Sequence, residues 1–420
     1  MKKKILIFPC GSEIALELHR ALSYSVHFEL FGTSSISDHG KFVYENYIPD
    51  LPFIDDPSFI EKLNQIIDTY SIDFIFPAHD SVVLKCAMNR KKLHCEVITS
   101  SAEVCEIARS KKKTYEVLKN VIPVPKTFQL DDIQTYPVFL KPDVGQGSKG
   151  CLVTKSKEDV ELAFQKDPSL LILEYLPGKE YTIDCFSDNE GNLIYSQGRQ
   201  RERILNGISV HSMPVDRPEF EDYAKKILSK IPFNGVWFFQ LKENTRGQLV
   251  LMEIAPRVAG TMALSRLKGV NLPLLACFNA CHLPVSVCPN NYFLEIDRAL
   301  ENKFKLNLSY KTVYTDLDDC LIIDGKVNVS LVGFLYQCIN EKKKIILLSK
   351  HAKPIEQTLH QYRLDNLFDQ VIHLCKSDDK YKYIQEVESI FIDDSFAERQ
   401  KVHEQLNIPV FSPDMIAELV

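Results

Sequence analysis

No apolar run in the 420 residues approaches the roughly 20 that a membrane helix needs. The opening "MKKKILIFPCG" is basic and then apolar, but its "ILIF" core is too short for a secretory signal and reads as a first strand. Neither charge sign dominates. Lysine and arginine number 50 against 56 acidic residues, so the formal charge of −6 gives no reason to expect a nucleic-acid binder, local basic patches aside. Paired cysteine spacing is missing too. Twelve cysteines are scattered from Cys10 to Cys375 in the manner of free thiols in a reducing cytosol, so a cytoplasmic protein is expected. Cys277, Cys281, His282 and Cys288 form the one local cluster. A metal there is conceivable, but "LLACFNACHL" reads as a buried amphipathic helix. Internal repeats and low-complexity tracts are absent.

What is present is an ordinary globular balance, 45% hydrophobic and 25% charged, over a length that calls for two or three units. Short β-rich runs alternate with helical patterns from the start. "KILIFPCG", "SEIALELHRAL", "VHFELFGTS", "FIEKLNQIIDTY" and "IDFIFPAHD" predict an α/β unit with parallel strands. Gly11-Ser12 and His79-Asp80 fall at strand carboxyl ends, where such sheets bind ligands, and suit a plain turn equally well. The texture changes near residue 100, and strand and helix alternate again from about 311. The expected organisation is an α/β domain over 1–100, a two-lobed α+β domain over 101–285, a connector over 286–310 and a small α/β domain over 311–420.

In the middle region, "KPDVGQGSKG" sets Lys141 at a strand end against a glycine-rich loop. Glycine lets the backbone come close to an anion, and successive N–H groups can cradle phosphate oxygens. The ordered Walker spacing is absent. Further on, "LEYLPGKEYTID" offers Glu174 to Leu176 as an extended edge for adenine and Glu180 as a carboxylate for ribose hydroxyls. Gln240 and Glu253 fall on adjacent predicted strands, and oxygen ligands converging in this way suit Mg²⁺. Arg257 follows as a planar cation able to grip an anion bidentately.

This series resembles the ATP-grasp superfamily, in particular its branch near the carbamoyl-phosphate synthetase large subunit and the amino-acid ligases. The resemblance covers roughly residues 1–285, with a pre-ATP-grasp α/β domain leading. It implies ATP bound between two lobes and a carboxylate activated as an acyl phosphate, which an amine then attacks. Carried over by position, Lys111 and Lys141 contact phosphates. Gly145, Gly147, Ser148 and Gly150 form a lid loop, Glu174 and Leu176 an adenine hinge, and Glu180 the ribose partner. Gln240 and Glu253 are Mg²⁺ ligands, Arg257 clamps the transferred phosphate, and Arg201 and Arg203 in "RQRERI" lie near substrate. One position departs: where the family has Asn, "EIAPR" has Ala255, which cannot ligate a second metal.

The end of the chain raises a separate question, because "VYTDLDDCLII" drops three carboxylates at the end of an apolar strand. Asp316 could attack phosphorus while Asp318 protonates the leaving oxygen and later activates water. Neighbouring anions need a cation, and further polar strand ends follow: Ser349 in "KIILLSKHA", Lys380 or Lys376 in "KSDDKYKYI", and Asp393-Asp394 in "SIFIDDSFAER". Their order resembles the haloacid dehalogenase superfamily over about 311–420. That resemblance implies a capless Rossmann-like domain, a phosphorylated substrate and a phosphoaspartyl intermediate on Asp316. Asp318 would be the acid/base, Asp316, Asp318 and Asp393 the Mg²⁺ site, and Lys380 is preferred over Lys376. Cys320 stands where Thr or Val is usual. The expected protein is therefore a cytoplasmic carboxylate–amine ligase with a fused phosphatase-like domain. Its partners are small molecules, with no nucleic acid and no membrane, and a homodimer is compatible. Two alternatives stand beside it, an ATP-grasp kinase or carbamoyl-phosphate-type activity and a nucleotide-sensing or scaffolding protein with a dead site.

Overall fold

A computed structural model describes residues 2–145, 147–205, 207–301, 303–304 and 306–419, and only the backbone of Ala417 and Glu418. The chain divides into two compact units, Met1–Glu301 and Asn302–Val420. No helix among the described residues is long and apolar enough to cross a membrane.

The first unit opens on a parallel sheet in the order Asn46–Ile48, Phe28–Thr33, Lys3–Phe8, Phe74–Pro77, Glu96–Val97. Side chains alternate across a strand, so "ILIF" serves both faces. Ile5 and Ile7 join one core cluster, Leu6 and Phe8 another. The cluster around Ile5 runs on through Phe186, Val236, Phe238, Ala255 and Cys277. That shared core explains why the first 301 residues form one compact unit although they carry separate sheets.

The next sheet is antiparallel, in the order Thr127–Phe128, Leu170–Glu174, Val138–Pro142, Leu152–Thr154, and is backed by the helix Lys157–Lys166. A larger antiparallel sheet follows: Leu249–Ala255, Gly235–Glu243, Glu180–Ser187, Leu193–Leu205, Ile208–Pro214 and Ile296–Asp297. The last strand lies inside the stretch expected as a connector and pairs with the edge at His211 and Ser212. Trp237 anchors this sheet, fully buried, stacked on Phe233 at 4.5 Å, with its indole N–H donating to Ser187 Oγ at 2.8 Å. Truncating an aromatic side chain so placed costs about 3–5 kcal/mol.

The second unit is built on a parallel sheet in the order Gln370–His373, Lys344–Ser349, Thr312–Thr315, Ser389–Ile392, Val410–Phe411. Alternation again divides the core: Val313, Ile345, Leu347 and Ile390 face one side, Tyr314, Ile346, Leu348 and Phe391 the other. Between the central strand and the next lie a small hairpin, Ile322–Ile323 with Lys326–Val327, and the helix Val329–Asn340.

Candidate functional site

In the first unit, two cavities border the strand Leu249–Ala255, and the consecutive residues Met252 and Glu253 line one each. The smaller cavity, about 180 Å³, is an apolar slot between Phe139, Val153, Leu173, Leu176 and Met252, with Glu174 and Tyr175 along one edge and the cations Lys141 and Lys242 inside. The larger, about 430 Å³, gathers many charged side chains. It is lined from three sides: by Ser12, Glu13, His79 and Asp80 of the parallel sheet, by Arg109, Lys111, Gly145, Gly147 and Lys149, and by Arg199, Arg201, Gln240, Glu253 and Arg257 of the large sheet.

Lys141 is 5% exposed and donates to the Met252 carbonyl at 3.0 Å. Burial pulls its pKa down to about 8; Glu253 opposes that fall and Lys111 adds to it. Lys111 Nζ donates to the carbonyls of Asp143 and Gly145, each at 3.3 Å, and Arg109 reaches the same Gly145 carbonyl at 3.0 Å. Two cations thus grip the start of the glycine-rich loop. Gly147 and Gly150 have positive φ there, as glycine permits. The loop also packs closely on Gly207: a Cβ there would lie 2.3 Å from the Gly147 carbonyl carbon. Ser148 and Gly150 are exposed and line neither cavity, and Gln146 lies outside the described residues.

Gln240 and Glu253 face each other in the register of adjacent antiparallel strands, so both side chains share a face. Gln240 Oε1 accepts from Arg201 at 3.1 Å, and no hydrogen bond to the Glu253 carboxylate occurs among the described residues. Two hard oxygen donors on one face fit Mg²⁺. Ala255 lines the same cavity with a methyl group. Glu180 lies behind, lining neither cavity: Arg201 holds one carboxylate oxygen, and Lys242, from the apolar slot, stands 3.4 Å from the other. Arg257 makes a bidentate pair with Asp80 at 2.5 and 2.9 Å, so the turn at the end of the fourth parallel strand supplies a partner for the expected clamp. Burial raises the Asp80 carboxyl, but the charge and hydrogen bonds of Arg257, with Arg109 and His79 adding, together outweigh it and the net shift is downward.

One expectation fails here. Arg201 is buried, whereas Arg203 is 59% exposed, paired with Asp297, and lines neither cavity. In a regular strand the two would share a face, but a bulge intervenes: Arg201 pairs with Ser212 and Arg203 with the very next residue, His211. An inserted residue re-aims everything beyond it. The inward neighbour of Arg201 is Arg199, 2% exposed, bidentate to buried Asp184 at 2.8 and 3.0 Å and bonded to Thr261. Sequence reading missed Arg199, although its two-residue spacing from Arg201 was visible. It also gave no role to Arg109, Lys149 or Glu13.

In the second unit, the central strand Thr312–Thr315 delivers Asp316, its neighbour Ser389–Ile392 delivers Asp393 and Asp394, and Lys344–Ser349 ends on Ser349. Oxygens of Asp316, Asp393 and Asp394 lie within 4.8 Å of one another. Lys380, 2% exposed, places Nζ 2.9 Å from Asp316 and 2.6 Å from Asp393; Lys376 is exposed. Burial raises the Asp393 carboxyl to about 6, with Lys380 opposing and Asp316 adding. Three carboxylates against one ammonium leave a negative site that a divalent cation would relieve. Asp316 Oδ1 and Ser349 Oγ are buried with no hydrogen-bond partner among the described residues. Such orphans cost about 1–3 kcal/mol each unless a ligand meets them, so the donor set fits Mg²⁺ and a phosphate. The Asp318 carboxylate is not in this cluster. It turns to His351, and Asp394 stands where Asp318 was expected among the metal ligands.

Known proteins resemble the first unit. A family model described as "ATP-grasp in the biosynthetic pathway with Ter operon" matches residues 166–298. The carbamoyl phosphate synthase large chain of Clostridium beijerinckii is 27% identical over 218 residues, 46% of this chain and 20% of that protein, so this chain spans about a fifth of the relative's length. Biotin carboxylase from Campylobacter jejuni, solved as a beta-gamma-ATP complex, superposes with a TM-score of 0.59 at 18% identity, covering 69% of this chain and 74% of that one. The L-amino acid ligase from Bacillus licheniformis gives 0.54 at 17% identity, covering 67% and 74%. At such identities the structural likeness shows fold alone. Together the matches support the ATP-grasp superfamily for the first unit.

Proposed function

We propose that the first unit is an ATP-dependent carboxylate–amine ligase working through an acyl phosphate. The observation that carries this reading is the Gln240–Glu253 pair facing a cation-rich cavity of about 430 Å³ next to an apolar slot of about 180 Å³. The slot suits a purine, with the Glu174–Leu176 edge beside it, and the cavity suits a triphosphate and an acid together. Lys141 and Lys111 would hold phosphate oxygens, the Gly145–Gly150 loop would close over them, and Arg257, fixed by Asp80, would grip the transferred phosphoryl group. Arg199 and Arg201 would face the acid. Mg²⁺ held by Gln240 and Glu253 would neutralise charge on the phosphate oxygens.

The test is ADP release with Mg²⁺ and ATP over a panel of carboxylate and amine pairs. Amine-dependent release supports the ligase. Release without amine favours a kinase or carbamoyl-phosphate-type activity. Tight ATP binding with no turnover on any pair favours a sensor.

Two consequences follow from named residues. An oxygen donor restored by Ala255→Asn should lower the Mg²⁺ concentration for half-maximal ADP release by about 10-fold; an unchanged requirement means that other groups already complete the metal site. A phosphate beside Lys141 favours its charged form, and the free ε-amine is largely neutral above about pH 8. ATP binding at pH 8.5 should therefore take up a fraction of a proton that is not taken up at pH 6.5, read by calorimetry in buffers of different ionisation enthalpy. Lys141→Arg should remove the uptake, since guanidinium stays protonated at both pH values.

For the second unit we propose Mg²⁺-dependent phosphate-ester hydrolysis of the haloacid dehalogenase type. The two orphaned buried atoms, Asp316 Oδ1 and Ser349 Oγ, support it most directly. Asp316 would attack phosphorus while the ester oxygen leaves with a proton from Asp318. Asp318 would then take a proton from the water that attacks the phosphoaspartate, releasing phosphate and restoring Asp316. Ser349 would donate to a phosphate oxygen, and Lys380 would offset the charge of Asp316 and Asp393. Phosphate release from p-nitrophenyl phosphate with Mg²⁺ tests it, and silence across a set of esters would remove it.

A further inference from the structure

Asp318 is awkwardly placed for an acid/base. Its side chain is 51% exposed and lies outside the carboxylate cluster. An exposed carboxyl samples several rotamers, whereas proton transfer needs it within hydrogen-bond reach of one oxygen. His351 supplies the missing constraint. It lies two residues beyond Ser349, off the same strand, with a side chain only 10% exposed. Its Nδ1 is 2.9 Å from both Asp318 carboxylate oxygens. Nε2 is 2.8 Å from Thr358 Oγ1 on the helix Ile355–Gln361, and Thr358 is itself buried. The His351 carbonyl also accepts from His373 at 2.7 Å. The imidazole is thus held at both ring nitrogens and through its main chain.

We infer that His351 is a positioning residue for Asp318: its Nδ1, equidistant from both carboxyl oxygens, fixes the rotamer from which Asp318 serves the leaving group. The inference rests on the phosphatase reading of the second unit. With Asp318 ionised, Nδ1–H donates to it, and Nε2 takes the Thr358 hydroxyl proton as acceptor. When Asp318 is protonated for the first step, Nδ1–H can stay on one oxygen while the other carries the proton toward the ester. A group bonded on its far side by a buried hydroxyl keeps this orientation, as outer partners do around reacting side chains. Nothing in "SKHA" by itself distinguishes such a histidine from a surface one.

The test compares esters by how much acid assistance they need, using the full chain. p-Nitrophenolate leaves readily unprotonated, whereas an alkoxide requires a proton. His351→Leu should lower kcat for an alkyl phosphate by about 10–100-fold, a share of what general acid catalysis supplies, and kcat for p-nitrophenyl phosphate by far less. Asp318→Asn sets the benchmark for that selectivity. His351→Asn, whose amide N–H can stand in for Nδ1–H, should recover much of the alkyl rate, and Thr358→Val should fall between. Equal losses on both esters, or no loss, in variants that melt like the parent overturn the inference while leaving the phosphatase reading intact. A parent that hydrolyses neither ester with Mg²⁺ overturns that reading, and the positioning role with it.

Discussion

Lys141→Ala should abolish ATP-dependent ADP release, by about 100–1000-fold or more, the range seen when a preorganised group facing developing charge is removed. The side chain is buried, its ammonium is fixed on the Met252 carbonyl, and it lies 5.4 Å over the Tyr115 ring. A rotatable surface lysine could be replaced by a neighbour. This one is not replaced in that way, because it is buried at a fixed point, while Lys111 is turned to the Asp143 and Gly145 carbonyls and Lys242 to Glu180. The substitution also removes a charge that burial disfavours, which offsets part of the lost packing, so the variant is expected to fold; a thermal melt checks this. Hydrolysis of p-nitrophenyl phosphate should be unchanged, because Lys141 and Asp316 belong to different compact units. Loss of both activities in a folded variant would sink the two-site reading.

Asp316→Asn should have the opposite pattern, with ADP release intact and ester hydrolysis down by about 10⁴-fold or more, as for loss of a covalent nucleophile. The amide has no anionic oxygen to attack phosphorus. It also removes the charge that adds to burial in holding the Asp393 carboxyl up at about 6, so that group should titrate lower in the variant. One negative charge fewer beside Lys380, Asp393 and Asp394 should weaken Mg²⁺ binding, visible as a smaller Mg²⁺-induced thermal shift. A variant that keeps its phosphatase rate shows that Asp316 is not the nucleophile.

Much of this was legible in order along the chain. Continuous apolar runs specify strands buried on two faces, as "ILIF" and "KIILLS" do, and a polar residue that closes such a run has to sit at the sheet's carboxyl edge. That local rule located Asp316, Ser349 and Asp393. What the sequence could not settle were choices that depend on a partner far away in the chain. The bulge beyond Arg201 turns Arg203 outward and leaves Arg199 as the inward arginine, because register against Ile208–Pro214 decides the face. Arg257 finds Asp80, 177 residues earlier, across a core shared by two sheets. Asp318 leaves the acidic cluster for His351, and Asp394 remains with Asp316 and Asp393. By itself the sequence determined which residues reach the edge of a sheet, because periodicity and strand length are local. Only the tertiary structure decided which way each polar side chain turns there, because that depends on the long-range charge or hydrogen-bond partner that lowers the cost of burying it.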